Sequence, residues 1–325
     1  MDGVTLEEFL EEWNNDSPFV HVQTSGSTGT PKAMMVEKRR MLNSARITCD
    51  FLGLKAGDTA LLCMSLDYIA GKMMVVRALE RGLKLIAEEP SGHPSWDDDI
   101  VFAAMVPLQV YNLLQTEEGC QRLMKIHHLI IGGGAIDEAL EQALQHFSNA
   151  VWSTYGMTET LSHIALRRLN GEARSLWYTP FDGVEVRQND DGCLVINAPA
   201  VSDGVLVTND IVEMDGRRFR VLGRKDNVIC SGGIKIQVEE VERLLKPHVH
   251  VPFIITRAKD ERLGERVVMM TEGGDKAQME SLCRQVLPRY WQPRAYVTID
   301  RLPMTETGKP ARREAELKAA QLLTE

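Results

Sequence analysis

Three strongly apolar segments constrain the fold of this chain more than any other feature. They span residues 59–64, 99–105 and 127–131, and each leads into a helical pattern or a glycine-rich turn. Short apolar runs that alternate with helices are typical of a parallel sheet with both faces covered. The chain is 44% apolar, which is enough for a sizeable core. The pattern therefore predicts an α/β fold.

A different pattern begins after residue 171. Between Gly171 and Val207, short alternating segments are separated by turns at 181–183 and 189–192, which predicts antiparallel strands. Farther on, strands are expected at 251–256, 267–271 and 295–299, and helices near 238–245 and 276–287. We therefore predict a large α/β domain over residues 1–223 and a small C-terminal α+β domain over residues 224–325.

Charge and composition exclude several kinds of partner. The net charge of −9 and the pI near 5.5 give no general attraction to nucleic acid or to an anionic membrane surface. No apolar run approaches the roughly 18 residues of a membrane span, and the N-terminus is acidic rather than signal-like. We therefore expect a cytoplasmic protein. The six cysteines lack Cys-x-x-Cys spacing, which favours reduced thiols.

Residues 24–32 read Thr-Ser-Gly-Ser-Thr-Gly-Thr-Pro-Lys and suit a polyphosphate. Glycines let backbone N–H groups approach phosphate oxygens, while hydroxyls and a lysine add donors. A solvated loop is the alternative interpretation. The segment is not a Walker A loop, which leads straight from its lysine into a helix. The predicted nucleotide contacts in this segment are Thr24, Ser25, Gly26, Ser27, Thr28, Gly29 and Lys32.

Two further segments carry polar or glycine-rich patterns after apolar strands. The triple glycine 132–134 permits close approach of a flat ring or a phosphate, or else makes a tight turn into a helix. The segment Tyr155-Gly156-Met157-Thr158-Glu159 offers an aromatic ring, a hydroxyl and a carboxylate. On its own, the Thr-Glu pair would be a helix cap with a first-turn acid.

Together these segments resemble the motifs of the adenylate-forming superfamily, which includes acyl- and aryl-CoA ligases, peptide-synthetase adenylation domains and luciferases. Three later segments extend the resemblance in the expected order. They are Thr208-Asn209-Asp210, with Asn209 in the place of the family's glycine, then 223–236 and 302–310. The resemblance spans residues 24–309, nearly the whole chain, and implies a large adenylation domain followed by a mobile small domain.

The resemblance also implies a role for individual residues. Lys309 would enter the site from the small domain as the catalytic lysine, acting with Thr158 and with Glu159, which would hold Mg²⁺. Asp226 would be the hinge, and Gly232 and Gly233 would lie beside the pantetheine arm of CoA. The implied nucleotide contacts outside the first loop are Gly132, Gly133, Gly134, Tyr155, Gly156, Asp210 and Arg224.

The implied reaction has two half-reactions that use ATP, Mg²⁺ and CoA. A carboxylate attacks the α-phosphate of MgATP and gives an acyl-adenylate and pyrophosphate; a thiol then displaces AMP. Resemblance of 155–165 and 231–236 to o-succinylbenzoate:CoA ligases of menaquinone biosynthesis favours that aromatic carboxylate as substrate. Another aryl- or acyl-CoA ligase is the alternative, as is a non-catalytic nucleotide-binding relative.

The substrate pocket implied by the resemblance contains Tyr68, Gly71, Lys72 and His163. Many family members have histidine where Tyr68 stands. Lys72 is either an exposed first-turn lysine or a buried cation that needs an anion; in the second case, the second carboxylate of o-succinylbenzoate would be its partner. Because the phosphate loop begins at Thr24, we also expect the N-terminal subdomain of the family to be missing, with a homodimer or a compact variant compensating for it.

Overall fold

The computed structural model describes residues 3–23, 33–305 and 309–323. The predicted phosphate loop at 24–32 lies outside the described residues. The elements up to the end of the large sheet are α1 (Leu6–Asn14), β1 (Phe19–Gln23), β2 (Ala33–Glu37), α2 (Lys38–Leu52), β3 (Thr59–Leu62), α3 (Ile69–Arg81), β4 (Lys84–Ala87), β5 (Phe102–Met105), α4 (Pro107–Leu113), α5 (Glu117–Lys125), β6 (His128–Ile131), α6 (Glu138–Leu144), β7 (Ala150–Gly156), β8 (His163–Arg168) and β9 (Thr179–Pro180).

The remaining elements follow, and their strands form two smaller sheets. They are β10 (Glu185–Gln188), β11 (Cys193–Asn197), β12 (Val205–Asp215), β13 (Arg218–Arg224), β14 (Val228–Ser231), β15 (Ile234–Gln237), α7 (Val238–Leu245), β16 (Phe253–Asp260), β17 (Gly264–Glu272), α8 (Lys276–Val286), β18 (Ala295–Ile299) and α9 (Arg312–Leu322). Single 3₁₀ turns at Thr158–Thr160 and Lys225–Asn227 follow β7 and β13.

A seven-stranded sheet in the order β4-β3-β5-β6-β7-β8-β9 forms the centre of the large part. Strands β4, β3, β5, β6 and β7 are parallel, which confirms the α/β prediction, and β8 and β9 are antiparallel. Alternate residues of β5 enter two separate hydrophobic clusters: Phe102 and Ala104 belong to one, Ala103 and Met105 to the other. Both faces of this strand are therefore buried, as its unbroken apolar run predicts.

The four strands β10 to β13 form an antiparallel sheet in sequence order, as the turn pattern predicts. Beyond residue 224, β14 to β18 form a five-stranded sheet in which β18 runs parallel to β17. This sheet has hydrophobic clusters of its own, drawn from residues 229–323. The separate clusters support the predicted division after residue 223, which stays a prediction. No helix in the described ranges is both long and apolar enough to cross a membrane.

Candidate active site

The triple glycine lies at the carboxyl end of β6, the edge of a parallel sheet where α/β proteins bind ligands. A Cβ atom at Gly132 would be 2.3 Å from the Thr154 hydroxyl on the neighbouring strand, so no larger residue fits. Gly133 has a φ of +76°, which favours glycine. Gly132 and Gly133 are therefore required by the turn itself.

Lys309 reaches this glycine turn from the C-terminal part of the chain. A Cβ atom placed at Gly134 would be only 3.9 Å from Lys309 Cε. The lysine's own backbone is fixed by the Thr305 N–H, which donates to its carbonyl at 2.7 Å, and by the Thr305 hydroxyl, which accepts from its N–H at 3.1 Å. Burial lowers the pKa of Lys309, and the nearby Arg224 guanidinium lowers it further. The structure thus brings the predicted catalytic lysine to the predicted nucleotide site.

Asp210 is at the centre of a polar cluster next to Lys309. It accepts a hydrogen bond from the Tyr155 hydroxyl at 2.5 Å and forms an ion pair with Arg224 at 3.0 Å. Arg224 also pairs with Asp226 at 2.8 Å, and the Asn209 amide donates to the Asp226 carboxylate at 3.0 Å. Since a carboxylate has about four acceptor positions, Asp210 retains capacity for ribose hydroxyls. Tyr155, Asp210, Arg224 and Asp226, to which the resemblance gives separate roles, therefore lie together.

The Tyr155 ring packs against other aromatic rings. Phe219 meets it edge-on with ring centres 4.9 Å apart, and Tyr178 lies at 5.8 Å. Burial, together with the charge of Asp210, raises the pKa of the Tyr155 hydroxyl, so it is a proton donor at neutral pH. The adenine-stacking role predicted for this ring stays a prediction.

Thr158 and Glu159 form a single 3₁₀ turn at the carboxyl end of β7. The buried Thr160 hydroxyl holds the turn by donating to the Ser162 carbonyl at 2.7 Å. Position 156, before the turn, requires glycine because a Cβ atom there would lie 2.2 Å from the Ser162 carbonyl oxygen. Leu161 closes the turn with a φ of +64°, an uncommon conformation for a branched residue.

The exposed carboxylate of Glu159 fits the predicted role as a magnesium ligand. It forms no hydrogen bond or ion pair within the described ranges, so its oxygens are open to a hard cation. The described residues contain no cluster of three or more His, Cys, Asp or Glu side chains that could hold a metal. A single carboxylate is compatible with the predicted role, which stays a prediction, because Mg²⁺ typically uses one or two carboxylates together with substrate phosphates.

Gly232 and Gly233 form the two-residue turn of the β14–β15 hairpin. Their φ angles are +58° and +83°, and the flanking residues Ser231 and Ile234 pair directly. Positive φ at both central positions is the geometry of a type I′ turn. The hairpin alone therefore explains both glycines, and the predicted contact with CoA stays a prediction.

Tyr68 and Gly71 lie at the start of α3 and His163 begins β8, and the pocket predicted for them stays a prediction. Tyr68 is the residue before α3, and Gly71 packs so tightly that a Cβ would be 2.2 Å from the Ser65 carbonyl oxygen. The buried His163 ring lies between the hydroxyls of Thr48 and Ser162, at 3.1 and 3.2 Å. Burial lowers the pKa of His163 well below its ordinary value, with a smaller contribution from the Arg77 charge, so the ring is neutral.

Lys72 is buried, with 4% of its surface exposed, so the expectation of an exposed first-turn lysine is wrong. Its ammonium group donates to the His21 carbonyl at 2.6 Å and pairs with Glu12 at 3.7 Å. It also lies 5.3 Å from the centre of the Phe9 ring. Because Glu12 already supplies an anion, a ligand carboxylate is not needed to pair this lysine. The contacts assign Lys72 to the packing of β1 against α1 and α3.

We expect Lys72→Met to reduce stability rather than to change ligand choice. The substitution removes the donor to the His21 carbonyl, so the free energy of unfolding should fall by about 1 to 3 kcal/mol. Urea denaturation measures this fall. The matched control is Lys84→Met, at a side chain that is 64% exposed, where the change should stay within about 0.5 kcal/mol. A stable Lys72→Met variant that has lost a carboxylate ligand would contradict this structural role.

Sequence reasoning missed Arg77, a fully buried cation on α3. It is 2% exposed, and its Nη2 donates to the Ser162 hydroxyl at 2.7 Å. Its other neighbours are the Met74 sulfur at 3.8 Å and the Phe102 ring at 6.0 Å. No carboxylate in the described part of the chain pairs with it, and its Nε has no hydrogen-bond partner there.

Burial lowers the pKa of Arg77 to about 10, so the guanidinium still carries its charge at neutral pH. A buried cation without an acid partner is costly unless a ligand supplies the anion. Ser162, its principal partner, comes directly after the turn that carries Glu159. The signal that could have identified Arg77 is its position inside the apolar run 73–79.

Comparison with known proteins gives one family and several relatives. The family profile described as AMP-binding enzyme matches residues 5–208. A 2-succinylbenzoate–CoA ligase of Listeria monocytogenes is 24% identical over 338 residues, covering 93% of this chain and 70% of that protein.

Two solved structures are similar as well. An acyl-CoA synthetase (AMP-forming)/AMP-acid ligase II-like protein of Dyadobacter fermentans is 32% identical, with a TM-score of 0.65, covering 96% of this chain and 93% of that one. The O-succinylbenzoate coenzyme A synthetase of Bacillus subtilis, in complex with ATP and a magnesium ion, is 22% identical, with a TM-score of 0.76. The alignment covers 91% of this chain and 69% of that one.

Proposed function

The chain belongs to the AMP-binding enzyme family, and from that premise we propose that it joins o-succinylbenzoate to the thiol of CoA through an acyl-adenylate. The coarser activity is that of an AMP-forming acid–thiol ligase, which uses ATP, Mg²⁺ and CoA. The choice of o-succinylbenzoate is supported by the Listeria relative and by the unpaired cation at Arg77.

In the first half-reaction, the substrate carboxylate attacks the α-phosphate of ATP and pyrophosphate leaves. Lys309 holds the carboxylate and the α-phosphate together, so positioning and charge neutralisation provide most of the acceleration. Glu159 would hold the Mg²⁺ of MgATP, which neutralises charge on the phosphates when bound. Asp210 accepts hydrogen bonds from the ribose hydroxyls while Arg224 keeps its carboxylate in place.

In the second half-reaction, the thiol sulfur attacks the acyl carbon and AMP leaves with the electron pair of the broken C–O bond. In the proposed mechanism Lys309 serves the first step and is withdrawn before the second, so the small domain moves between the two steps. Asp226 is the proposed pivot, and its carboxylate is held by Arg224 and Asn209 in the present arrangement.

Arg77 is the observation that carries the substrate assignment. o-Succinylbenzoate has two carboxylates: one becomes the adenylate, and the other needs a cation. A guanidinium with an unbonded Nε and no acid partner in the described residues matches that need, since arginine binds carboxylates through two parallel hydrogen bonds. Arg77 replaces Lys72 in this role, because Lys72 is paired with Glu12.

Pyrophosphate release with ATP and a panel of carboxylic acids tests the proposal. We expect o-succinylbenzoate to be activated, and its analogue without the ring carboxylate, 4-oxo-4-phenylbutanoate, to be activated at least about tenfold less efficiently. Equal rates with the two acids, or preference for an unrelated acid, would overturn the substrate assignment. If none of the acids in the panel causes pyrophosphate release, a non-catalytic nucleotide-binding relative is favoured. The expected homodimer and cytoplasmic location stay predictions.

A further inference from the structure

The loop that leads from the triple glycine into α6 makes a second contact with the C-terminal part of the chain. We propose that Asp137 and Lys246 are positioning residues: their ion pair holds the small domain in the arrangement that keeps Lys309 at the glycine turn. This inference rests on the proposed function, because it concerns the first of its two half-reactions.

The ion pair joins two helix ends. Lys246 Nζ lies 2.5 Å from Asp137 Oδ2, and Lys246 is the C-terminal cap residue of α7. Asp137 caps α6, since its Oδ1 accepts a hydrogen bond from the Leu140 N–H at 2.7 Å. Burial raises the pKa of Asp137, but the hydrogen bonds from Leu140 and Lys246 outweigh burial and the net shift is downward. Asp137 is therefore ionised and oriented towards its partner.

The pair acts on the same loop as the catalytic lysine. Asp137 lies three residues after Gly134, the residue that Lys309 approaches. Lys246 and Lys309 both belong to the C-terminal part, so the segment 134–137 receives two contacts from it, one at Gly134 and one at Asp137. An arrangement that satisfies the Asp137–Lys246 pair therefore also presents Lys309 to the site.

Rotation about Asp226 has to separate this pair. Lys246 lies at the far end of α7, whose eight residues extend for about 12 Å. The contacts Asn209–Asp226 and Asp191–Lys225 also cross the division, but they lie at or beside the proposed pivot and are less sensitive to rotation. Both side chains of the ion pair are partly exposed, at 56% and 36%, so the pair should shift an equilibrium by no more than about fivefold.

Two substitutions remove the pair with little other effect. Asp137→Asn removes the charge but retains an N-cap side chain, because asparagine caps helices as well as aspartate does. Lys246→Gln removes the cation from an exposed position. We expect each to lower the ratio of adenylate formation to thioester formation from supplied acyl-adenylate by about two- to fivefold. In the double variant the loss should not increase further, because both changes break one interaction.

The matched control is Arg284→Gln, which breaks an exposed pair with Glu280 inside α8. Its ratio of half-reaction rates should equal that of the parent protein. The proposal would be overturned if the Asp137 and Lys246 variants had the same ratio of half-reaction rates as the parent protein. It would also be overturned if the rates of both half-reactions fell in parallel. Additive losses in the double variant would also contradict it.

Hydrogen–deuterium exchange provides a readout that does not depend on the reaction. If the pair holds the small domain, peptides containing Lys309 should exchange about two- to fivefold faster in both variants and unchanged in Arg284→Gln. Unchanged exchange in all three would refute the positioning role even in an active enzyme. Failure of the parent protein to release pyrophosphate would instead refute the proposed function. The exchange result would then remain the test of whether the Asp137–Lys246 ion pair holds the small domain.

Discussion

Replacing Lys309 by alanine is expected to lower adenylate formation on the order of 100- to 1,000-fold, the range seen when a single preorganised charge donor is removed from a reacting oxygen. Thioester formation from supplied acyl-adenylate should change less than about threefold. The reason is that Lys309 lies at the glycine turn in the present arrangement, and in the proposed mechanism the small domain withdraws it before the thiol attacks. Pyrophosphate release and CoA-dependent AMP release measure the two steps separately.

The pH dependence of the first step gives an independent check on Lys309. Burial and the neighbouring Arg224 lower its pKa from 10.5. The charged ammonium is the active form and exists below that pKa, so adenylate formation should fall as pH rises through a value lower than 10.5. Lys309→Arg keeps the charge at alkaline pH, because the pKa of an arginine lies above about 12. Any activity that this variant retains should therefore lack the alkaline fall.

Lys276→Ala is the matched control, because that lysine is exposed at the start of α8. It should leave both half-reactions unchanged. Parallel loss of both half-reactions in Lys309→Ala would contradict the assignment, since a residue that leaves the site cannot be needed for the second step.

The central sheet could be predicted because its signal is local. Strand β5 and its neighbours are short apolar runs, and such a run has few alternatives to a strand buried on both faces. The antiparallel strands after residue 171 were predictable from turn residues for the same reason. In each case, neighbouring residues carry the information that the fold uses.

Elements with weak local signals were missed. Helices α5 and α6 are short and polar, and their starts depend on the single capping residues Thr116 and Asp137. Helix α9 is rich in charge and buries only Ala315 and Ala319, which gives little apolar periodicity. Before helix α3, the Ser65 hydroxyl donates to the Asp67 carboxylate and accepts from the Asp67 N–H, which forms a turn that ends before Ile69.

The candidate site shows the same limit. Motifs after β6 and β7 could be placed together, because the carboxyl ends of parallel strands share one edge. The partners of Lys72 and Arg77 could not be deduced, since they depend on contacts between distant segments: Glu12 reaches Lys72 from α1, whereas Arg77 meets the Ser162 hydroxyl. The sequence therefore favoured an exposed Lys72, which is buried, and gave no role to Arg77.

Replacing Arg77 by methionine should separate the two carboxylates of the proposed substrate. If Arg77 binds the ring carboxylate, kcat/KM for o-succinylbenzoate should fall by about 10- to 1,000-fold, the cost of losing a buried charged partner. The value for 4-oxo-4-phenylbutanoate, which lacks that group, should change by less than about threefold. Arg77→Lys keeps the charge but loses the planar fork, so it should recover only part of the loss.

Stability distinguishes this binding role from a packing role. Because Arg77 has no acid partner in the described residues, exchanging its buried charge for an apolar side chain should leave the free energy of unfolding unchanged or raise it. The Ser162 hydroxyl loses one partner but still contacts His163. A large loss of stability, with equal loss of activity towards both acids, would mean that Arg77 supports α3 and not the substrate. A stable variant that fails only with the dicarboxylate has lost the group that recognises it.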